Sequence, residues 1–165
     1  DGKETTYVYP GNEYRKLVAK ESYVGSLVRD SIHKGYLQPD FLTNAIVVGI
    51  LNSELAAEKH LILDGYPRTV AQSETFETIV KYYRRENVKI IYIEVSKEEA
   101  TKRNLLRGRA DDTKEGIEKR FDEYVVNVIP AMNYFKGKKE YPIYEINGEQ
   151  SVEDVHKEII SKLGF

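Results

Sequence analysis

Residues 60–74, which read HLILDGYPRTVAQSE, constrain the fold of this chain more than any other stretch. The apolar run at 61–63 predicts a short buried strand. Pro67 keeps the residue before it out of the helical region, so an extended turn should follow the strand. Thr69 is a suitable N-cap for a helix after that turn. The stretch therefore predicts a strand–turn–helix unit of an α/β fold.

This strand–turn–helix unit contains three polar residues that could contact a ligand. Asp64 follows the strand directly, Arg68 lies in the turn and Gln72 lies in the helix. Ligands of open parallel sheets bind at the carboxyl ends of the strands, so these three side chains should meet at one rim. An ordinary strand–turn–helix connection with a surface arginine would explain the same residues without a ligand.

Composition limits the classes of protein to consider. The chain has 165 residues, 41% of them hydrophobic and 32% charged, which suits one globular domain with a core of its own. It has no cysteine, so neither a disulfide nor a thiolate zinc site is possible, and a reducing compartment such as the cytoplasm fits. No apolar run reaches membrane-spanning length, and a net charge of −2 does not argue for nucleic acid.

The chain before the central stretch predicts one strand and three helices. Residues 1–6 are predicted as a loop, residues 7–9 as a short strand, and Asn12 as a cap of the next helix. Gly35 is expected to end a second helix, and Asp40 to open a third. The apolar positions with helical spacing in the second and third helices are Val24, Leu27, Val28, Ile32, Leu42, Ile46, Ile50 and Leu51.

The chain after the central stretch continues the alternation of strands and helices. The β-branched run at 88–95 predicts a buried strand, and 97–106 predicts a helix. An amphipathic helix around 117–128 should be kinked by Pro130. A last strand at 144–146 precedes a closing helix. That helix is capped by Ser151, and its predicted inner residues are Val152, Val155, Ile159 and Ile160.

Four arginines lie close together in the second half of the chain: Arg103, Arg107, Arg109 and Arg120. Arginine is always charged, and its planar group presents two donors to a pair of phosphate oxygens. Such a cluster suits a compact anionic ligand better than a long polyanion. The histidines at 33, 60 and 156 are not at metal-ligand spacing.

Several motifs of the chain resemble those of the nucleoside monophosphate kinases, and adenylate kinases most closely. Residues 64–72 match DG[FY]PR-x-x-x-Q, and residues 10–15 match TGD-x-x-R with Pro10 for the threonine and Asn12 for the aspartate. Residues 103–120 match R-x-x-x-R, R-x-D-D and a later arginine. Residues 146–155 match I-N-G-x-x-S-V-E-x-V. Residues of about 103–120 resemble the lid of that family, and only Gly108 separates Arg107 from Arg109, so this lid is very short.

The resemblance implies an AMP site on the helical side of the molecule. Arg15 and Arg68 would hold the phosphate of AMP, and Gln72 would contact the adenine edge. The remaining residues that the resemblance places at AMP are Gly11, Leu37, Gln38 and Gly65. Plain helical packing of Leu37 and an exposed helix charge at Arg15 are the alternatives.

The resemblance also implies an ATP site and a place of transfer. Arg107, Arg109 and Arg120 would face the transferring phosphates, with Arg68 and Asp64 completing the catalytic group. The residues implied at ATP are Arg103, Arg107, Gly148 and Gln150, although a plain strand–turn–helix would also explain the last two. Asp111 and Asp112 would orient the arginines, or cap the next helix, since Asp112 and Glu115 have capping-box spacing. Mg²⁺ would come with ATP, with Asp64 reaching it through water, and zinc is not expected.

The implied fold is α/β: a three-layer α/β/α arrangement like that of P-loop kinases, with a mainly parallel central sheet. The whole chain, 1–165, would form one domain. Its core would comprise 1–11, 60–102 and 121–165. The AMP-binding flap would span 12–59 and the short lid about 103–120.

One family motif, the phosphate loop G-x-x-x-x-G-K-[ST], is not found in these 165 residues. In the family, the strand before that loop lies in the middle of the sheet. Without it, two strand edges would face a gap with unpaired backbone groups. We therefore expect the chain to be part of a longer polypeptide whose upstream residues carry the strand and the loop.

The expected function is reversible phosphoryl transfer from ATP to AMP by a cytoplasmic monomer. Two alternatives stay open. One is a uridylate/cytidylate kinase, which also has a short lid; such enzymes usually have asparagines where this chain has Thr69 and Gln72. The other is a non-catalytic AMP-binding module without a phosphate loop.

Overall fold

A computed structural model describes residues 4–165 of the chain. Four strands are short and alternate with helices. They are β1 (Thr5–Val8), β2 (His60–Leu63), β3 (Ile90–Glu94) and β4 (Ile143–Asn147). The helices are α1 (Pro10–Ala19), α2 (Tyr23–His33), α3 (Asp40–Glu54), α4 (Val70–Tyr82), α5 (Lys97–Arg107), α6 (Lys114–Glu123), α7 (Ile129–Phe135) and α8 (Val152–Leu163). A π-helical turn, Tyr124–Val128, joins α6 to α7.

All strand pairing is parallel, as expected for the α/β class. β1 pairs with β2, with Thr5 opposite His60. β3 pairs with β4, with Ile90 opposite Ile143. Within residues 4–165 the strands thus form two separate two-stranded sheets, and no described strand joins them.

The core lies between β1, α3, α4 and α7. Its buried apolar residues include Val8, Val47, Leu51, Phe76 and Phe135. The ring of Phe76 meets that of Phe135 edge-on, with centroids 5.7 Å apart. Since buried aromatic rings bring large apolar areas together, this cluster fixes α4 and α7 beside the β1–β2 pair.

Helix starts follow local sequence where a hydroxyl residue precedes the helix. Ser22, Thr69, Ser96, Thr113 and Ser151 each accept a hydrogen bond from the backbone N–H three residues later. The predicted caps at Thr69 and Ser151 are confirmed. Such bonds satisfy N–H groups that have no partner inside the helix.

The predicted caps at Asn12 and Asp112 are wrong. Helix α1 begins at Pro10, so Asn12 lies inside its first turn. Proline suits that position because the missing N–H would have no intrahelical partner there. Helix α6 is capped by Thr113 instead of Asp112, whose carboxylate is occupied by arginines.

Three other local predictions need correction. Thr5 and Thr6 belong to β1 and not to a loop, while residues 1–3 of the predicted loop lie outside the described part. Helix α3 buries Leu51 as predicted, but its other buried residues are Thr43 and Val47, so the buried face is rotated from the predicted apolar stripe. Val24 and Leu27, two positions of the apolar stripe of α2, are exposed, as is Val152, a predicted inner residue of α8.

The predicted kink near Pro130 takes the form of the π-helical turn. Proline lacks a backbone N–H and its ring crowds the preceding turn, so the helical ladder changes there. The Tyr124 hydroxyl also forms a hydrogen bond with the Tyr92 hydroxyl of β3.

Among residues 4–165, no helix combines the length and the apolar character needed to cross a bilayer.

Candidate active site

One cavity of about 540 Å³ collects side chains from distant parts of the chain. Its wall includes five arginines: Arg15, Arg68, Arg107, Arg109 and Arg120. The carboxylates of Asp111 and Glu123 lie on the same wall. Cationic groups therefore outnumber anionic ones, and the cavity favours an anionic ligand.

The end of β1 and the start of α1 bring Arg15 to the cavity. The Arg15 guanidinium lies over the Tyr9 ring, 5.2 Å from its centroid. A Cβ on Gly11 would come within 2.9 Å of that ring, so only glycine lets the ring lie there. Burial favours a raised pKa for Tyr9, but Arg15 and Arg109 interact with its hydroxyl and lower the pKa overall.

The turn after β2 holds Arg68. The Arg68 Nε donates to the Gly65 carbonyl at 2.8 Å. Gly65 has φ of +68°, and a Cβ there would lie 2.5 Å from the Arg68 guanidinium. Glycine at this position therefore permits both the backbone conformation and the placement of the arginine.

The Gln72 amide is hydrogen-bonded at both ends within the protein. Its Oε1 accepts from the Arg68 backbone N–H at 2.8 Å, and its Nε2 donates to Asp40 Oδ1 at 2.8 Å. Asp40 Oδ1 also accepts from the Thr69 hydroxyl at 2.9 Å. Gln72 is 2% exposed. In this arrangement Gln72 ties the turn that carries Arg68 to α3.

Asp112 organises three of the arginines. Its carboxylate accepts from Arg107 at 2.6 and 3.0 Å, from Arg120 at 2.8 Å, and from the Arg109 backbone N–H at 3.1 Å. Its side chain is 1% exposed. Burial alone would raise the pKa of this carboxyl. The bonds to Arg107 and Arg120 outweigh burial and hold its pKa far below the usual range.

Comparison with known proteins shows similarity to one enzyme family. The family model for adenylate kinase matches residues 4–140. The adenylate kinase of Thermosipho africanus is 31% identical and covers 94% of this chain and 86% of the relative. That of Oenococcus oeni is 31% identical, covering 88% and 78%, and that of Prochlorococcus marinus is 30% identical, covering 98% and 91%.

The chain belongs to the adenylate kinase family. Members of this family are nucleoside monophosphate kinases, which are phosphotransferases, so the α/β fold and the enzyme class inferred from the sequence are confirmed. The five arginines named from adenylate kinase motifs meet at one cavity, although they come from four separate segments. What each does to a nucleotide stays a prediction.

The residues predicted at AMP lie at the same cavity. Gly11, Arg15, Leu37, Gln38, Gly65, Arg68 and Gln72 are all on its wall. Asp111 is also on the wall, and the Arg120 guanidinium donates to its carboxylate. Asp112 lies behind the wall and holds Arg107 and Arg120 there.

The residues predicted at ATP form a second group. Arg103 donates to the Gly148 carbonyl at 2.7 Å and to the Gln150 carbonyl at 3.4 Å. It also pairs with Glu99 of its own helix at 2.7 Å. This group lies outside the arginine-lined cavity, while Arg107 belongs to the cavity itself.

Asp64 lies at the carboxyl end of β2, next to Gly65 on the cavity wall. The Tyr7 hydroxyl donates to its carboxylate, and that bond raises the pKa of Tyr7 to about 12. Among residues 4–165 no group of three or more acidic, histidine or cysteine side chains is placed to hold a metal. An exposed single carboxylate fits Mg²⁺ only in the way that ion is usually bound, through water and substrate phosphates.

Sequence reasoning missed the tyrosines of the cavity. Tyr9, Tyr14, Tyr92 and Tyr124 all lie on its wall. The Tyr14 hydroxyl is 2.6 Å from that of Thr43, which orients both groups. The available signal was the position of Tyr9, directly before the helix start that carries Arg15; the others depend on long-range packing.

Proposed function

We propose that this protein transfers a phosphoryl group reversibly from ATP to AMP, giving two ADP, and so serves nucleotide homeostasis. The observation that carries the proposal is the set of five guanidinium groups on one cavity wall. Phosphoryl transfer spreads negative charge over the moving group, and fixed cations stabilise that charge. A volume of about 540 Å³ suits a ligand of nucleotide size.

The flap and the turns that contain Gly11 and Gly65 form the end of the site that would bind AMP. Arg15 and Arg68 bind the phosphate of AMP in this proposal. Gly11 and Gly65 let those arginines approach closely, as their contacts with Tyr9 and Arg68 indicate. The base lies toward the turn between α2 and α3, where Leu37 and Gln38 are found.

The transfer step depends on Arg107, Arg109 and Arg120. Phosphate oxygens compete with the Asp111 carboxylate for Arg120, while the buried Asp112 keeps Arg107 and Arg120 aimed at the cavity. Preorganised donors of this kind stabilise charge as it develops without having to reorient during the reaction.

The end of the site that would bind ATP consists of Arg103, Gly148 and Gln150, which lie outside the cavity. Arg103 bonds to two carbonyls of the loop between β4 and α8, and so fixes that loop relative to α5. In this proposal the loop backbone at Gly148 and Gln150 contacts the base of ATP. Arg103 lies against the same nucleotide.

Mg²⁺ bound to the ATP phosphates would supply charge neutralisation during the transfer. The residue of this chain that could reach it is Asp64, through water, since its carboxylate is exposed and takes one bond from Tyr7. In this proposal the protein orients the phosphates, and phosphate oxygens and water would hold the ion.

The mobile parts in this proposal are the flap, 12–59, and the short lid, about 103–120, on a core of 1–11, 60–102 and 121–165. Their closure would exclude water from the phosphates and complete the ring of arginines. The short lid has little backbone to move: α5 ends at Arg107 and α6 begins at Lys114.

We also propose that a further strand, with a phosphate loop at its end, completes the sheet between the two strand pairs. Apolar side chains of the existing strands are half exposed: Tyr7 at 52%, Ile62 at 50%, Ile91 at 41% and Ile93 at 48%. A strand between the pairs would cover such side chains and pair open edges. The intact mass of the protein from its source tests this. A mass near 19.0 kDa would contradict it.

The partners in this proposal are ATP, AMP and ADP, and the working form is a cytoplasmic monomer. All five arginines of the cavity come from one chain, so the site needs no residue of a second copy. Size-exclusion chromatography with light scattering would test the monomer.

The function is tested by measuring ADP formation from Mg-ATP with AMP, UMP or CMP as acceptor in the full-length protein. The proposal expects AMP to be the preferred acceptor. Preference for UMP or CMP would indicate the uridylate/cytidylate kinase alternative, and AMP binding without turnover would indicate the non-catalytic module.

A further inference from the structure

Tyr9 occupies a helix position at which its side chain has no capping role. It is the N-cap residue of α1, and its side chain forms no capping hydrogen bond. Short hydroxyl, carboxylate and amide side chains are preferred at N-caps because they accept a bond from N–H groups of the first turn. Tyr9 is half-buried and lies on the wall of the arginine-lined cavity. The reason for a tyrosine here must therefore lie in what its ring and hydroxyl contact.

The ring of Tyr9 is enclosed by its neighbours. The Arg15 guanidinium lies 5.2 Å from the ring centroid. The Tyr7 ring lies beside it, with centroids 6.5 Å apart. A Cβ on Gly11 would lie 2.9 Å from the nearest ring atom, so glycine leaves space for the ring. Because these contacts fix the ring, they also fix the hydroxyl at its end.

The Tyr9 hydroxyl faces two arginines from different parts of the chain. Arg15 lies on α1, and Arg109 lies in the short lid between α5 and α6. Both guanidinium groups interact with the hydroxyl. A guanidinium can only donate hydrogen bonds, so the phenol oxygen is the acceptor for both. One side chain therefore contacts an arginine assigned above to AMP and an arginine assigned to the transfer step.

The cavity arginines differ in the groups that orient them. Arg107 and Arg120 each form an ion pair with the buried Asp112. Among residues 4–165, no ion pair includes Arg15 or Arg109. A carboxylate offsets the charge of the arginine that it orients, whereas a neutral hydroxyl orients the arginine and leaves its charge for an anionic ligand.

We propose that Tyr9 is a positioning residue that orients Arg15 and Arg109 toward the phosphates of the two nucleotides. The inference rests on the proposed function and deepens it. A shared contact with one fixed hydroxyl limits the freedom of both arginines before a ligand arrives, so less conformational entropy is lost when phosphate binds. The phosphate oxygens then meet guanidinium groups that are already oriented and still carry their full charge.

The first test separates the phosphate from the nucleoside. Tyr9→Phe keeps the ring beside Arg15 and removes the hydroxyl alone. By calorimetric titration of the full-length protein, AMP should bind this variant about 3- to 10-fold more weakly than wild type, with the affinity for adenosine unchanged. Tyr82→Phe is the matched control, since Tyr82 is 78% exposed and lies off the cavity wall; both affinities should stay the same. Parallel losses for AMP and adenosine in Tyr9→Phe would overturn the inference.

A double-mutant cycle tests whether the hydroxyl acts through the arginines. The affinity for AMP would be measured for wild type, Tyr9→Phe, Arg15→Ala and the double variant. Because residues that contact each other have coupled effects, Tyr9→Phe should weaken binding less in the Arg15→Ala protein than in wild type. An equal loss in the two backgrounds would overturn the positioning role, since the hydroxyl would then act on the nucleotide directly.

Two further outcomes distinguish this inference from the function on which it rests. A wild type that binds AMP, with Tyr9→Phe binding it equally well, would overturn the role of Tyr9 alone. A wild type that binds no AMP would overturn the AMP site proposed above, and the role of Tyr9 with it.

Discussion

Among the lid residues, Asp112 should contribute most to stability, because it contacts three arginines. Changing Asp112 to Asn keeps its shape and removes the charge that faces Arg107 and Arg120. Because those arginines are partly exposed, we expect the free energy of unfolding at pH 7 to fall by about 1 to 3 kcal/mol. Urea titration would measure it. Asp122→Asn, at an exposed site on α6, should change that free energy by less than about 0.5 kcal/mol.

The stability of the wild type and that of Asp112→Asn should depend differently on pH. The pKa of Asp112 is lowered in the fold, so its stabilisation is complete above the ordinary Asp pKa of about 3.9. It is lost as pH falls below that value through the lowered pKa. The stability difference between wild type and Asp112→Asn should therefore be constant above about pH 5 and shrink below about pH 4. A difference that shrinks near neutral pH would point to another group.

Arg68 should matter for catalysis and little for stability. Its Nε bonds to one backbone carbonyl, that of Gly65, and its side chain lies at the cavity. Arg68→Ala should lower kcat/KM by about 100-fold or more, with nearly unchanged unfolding. Arg29 is a matched control, since it is exposed and also bonds to one carbonyl, that of Val18, at 2.9 Å. Equal effects of Arg29→Ala and Arg68→Ala would contradict a phosphate-binding role.

Single residues could be named from the sequence where a short motif carries them. Arg68 and Gln72 lie in one continuous stretch, so their spacing alone places them on a turn and a helix. The hydrogen bond from Gln72 to Asp40 could not be predicted, because it joins residues 32 positions apart in the sequence. Asp112 and Thr113 are adjacent and both suit a helix cap. Only the arginines opposite Asp112 decide between them.

At the scale of elements, the turn between β2 and α4 depends on its cap. The Thr69 hydroxyl accepts from the Gln72 N–H at 3.0 Å and donates to Asp40 at 2.9 Å. Thr69→Ala removes both bonds and should lower the unfolding free energy by about 1 to 2 kcal/mol, measured by urea titration. Thr69→Ser should retain most of the stability. Equal losses in the two variants would attribute the effect to the methyl group.

Elements could be predicted well where their signal is local. The β-branched run that gives β3 and the capped helices α4 and α8 begin near the expected positions. Faces were harder to predict, since burial depends on what packs against a helix. Val152 has helical spacing with the inner residues of α8 yet is 81% exposed, because it lies at the first position of that helix.

At the scale of the whole molecule, the parallel arrangement followed from the alternation of strands and helices. The division into two strand pairs is a long-range property: β1 pairs with a strand some fifty residues later. The cavity also depends on long-range contacts, because its arginines come from α1, the turn after β2, the lid and α6. Motif resemblance could name these arginines, but only the fold brings them to one wall.

The central claim is that five converging arginines act on the phosphates of two nucleotides. The most direct test is the rate of ADP formation from Mg-ATP and AMP by the full-length protein and by single Arg→Lys variants at 15, 68, 107, 109 and 120. Lysine keeps the charge and removes the planar pair of donors. We predict losses of about 100-fold or more in each, with Arg29→Lys unchanged. Near-normal rates in two or more of the five variants would contradict the claim.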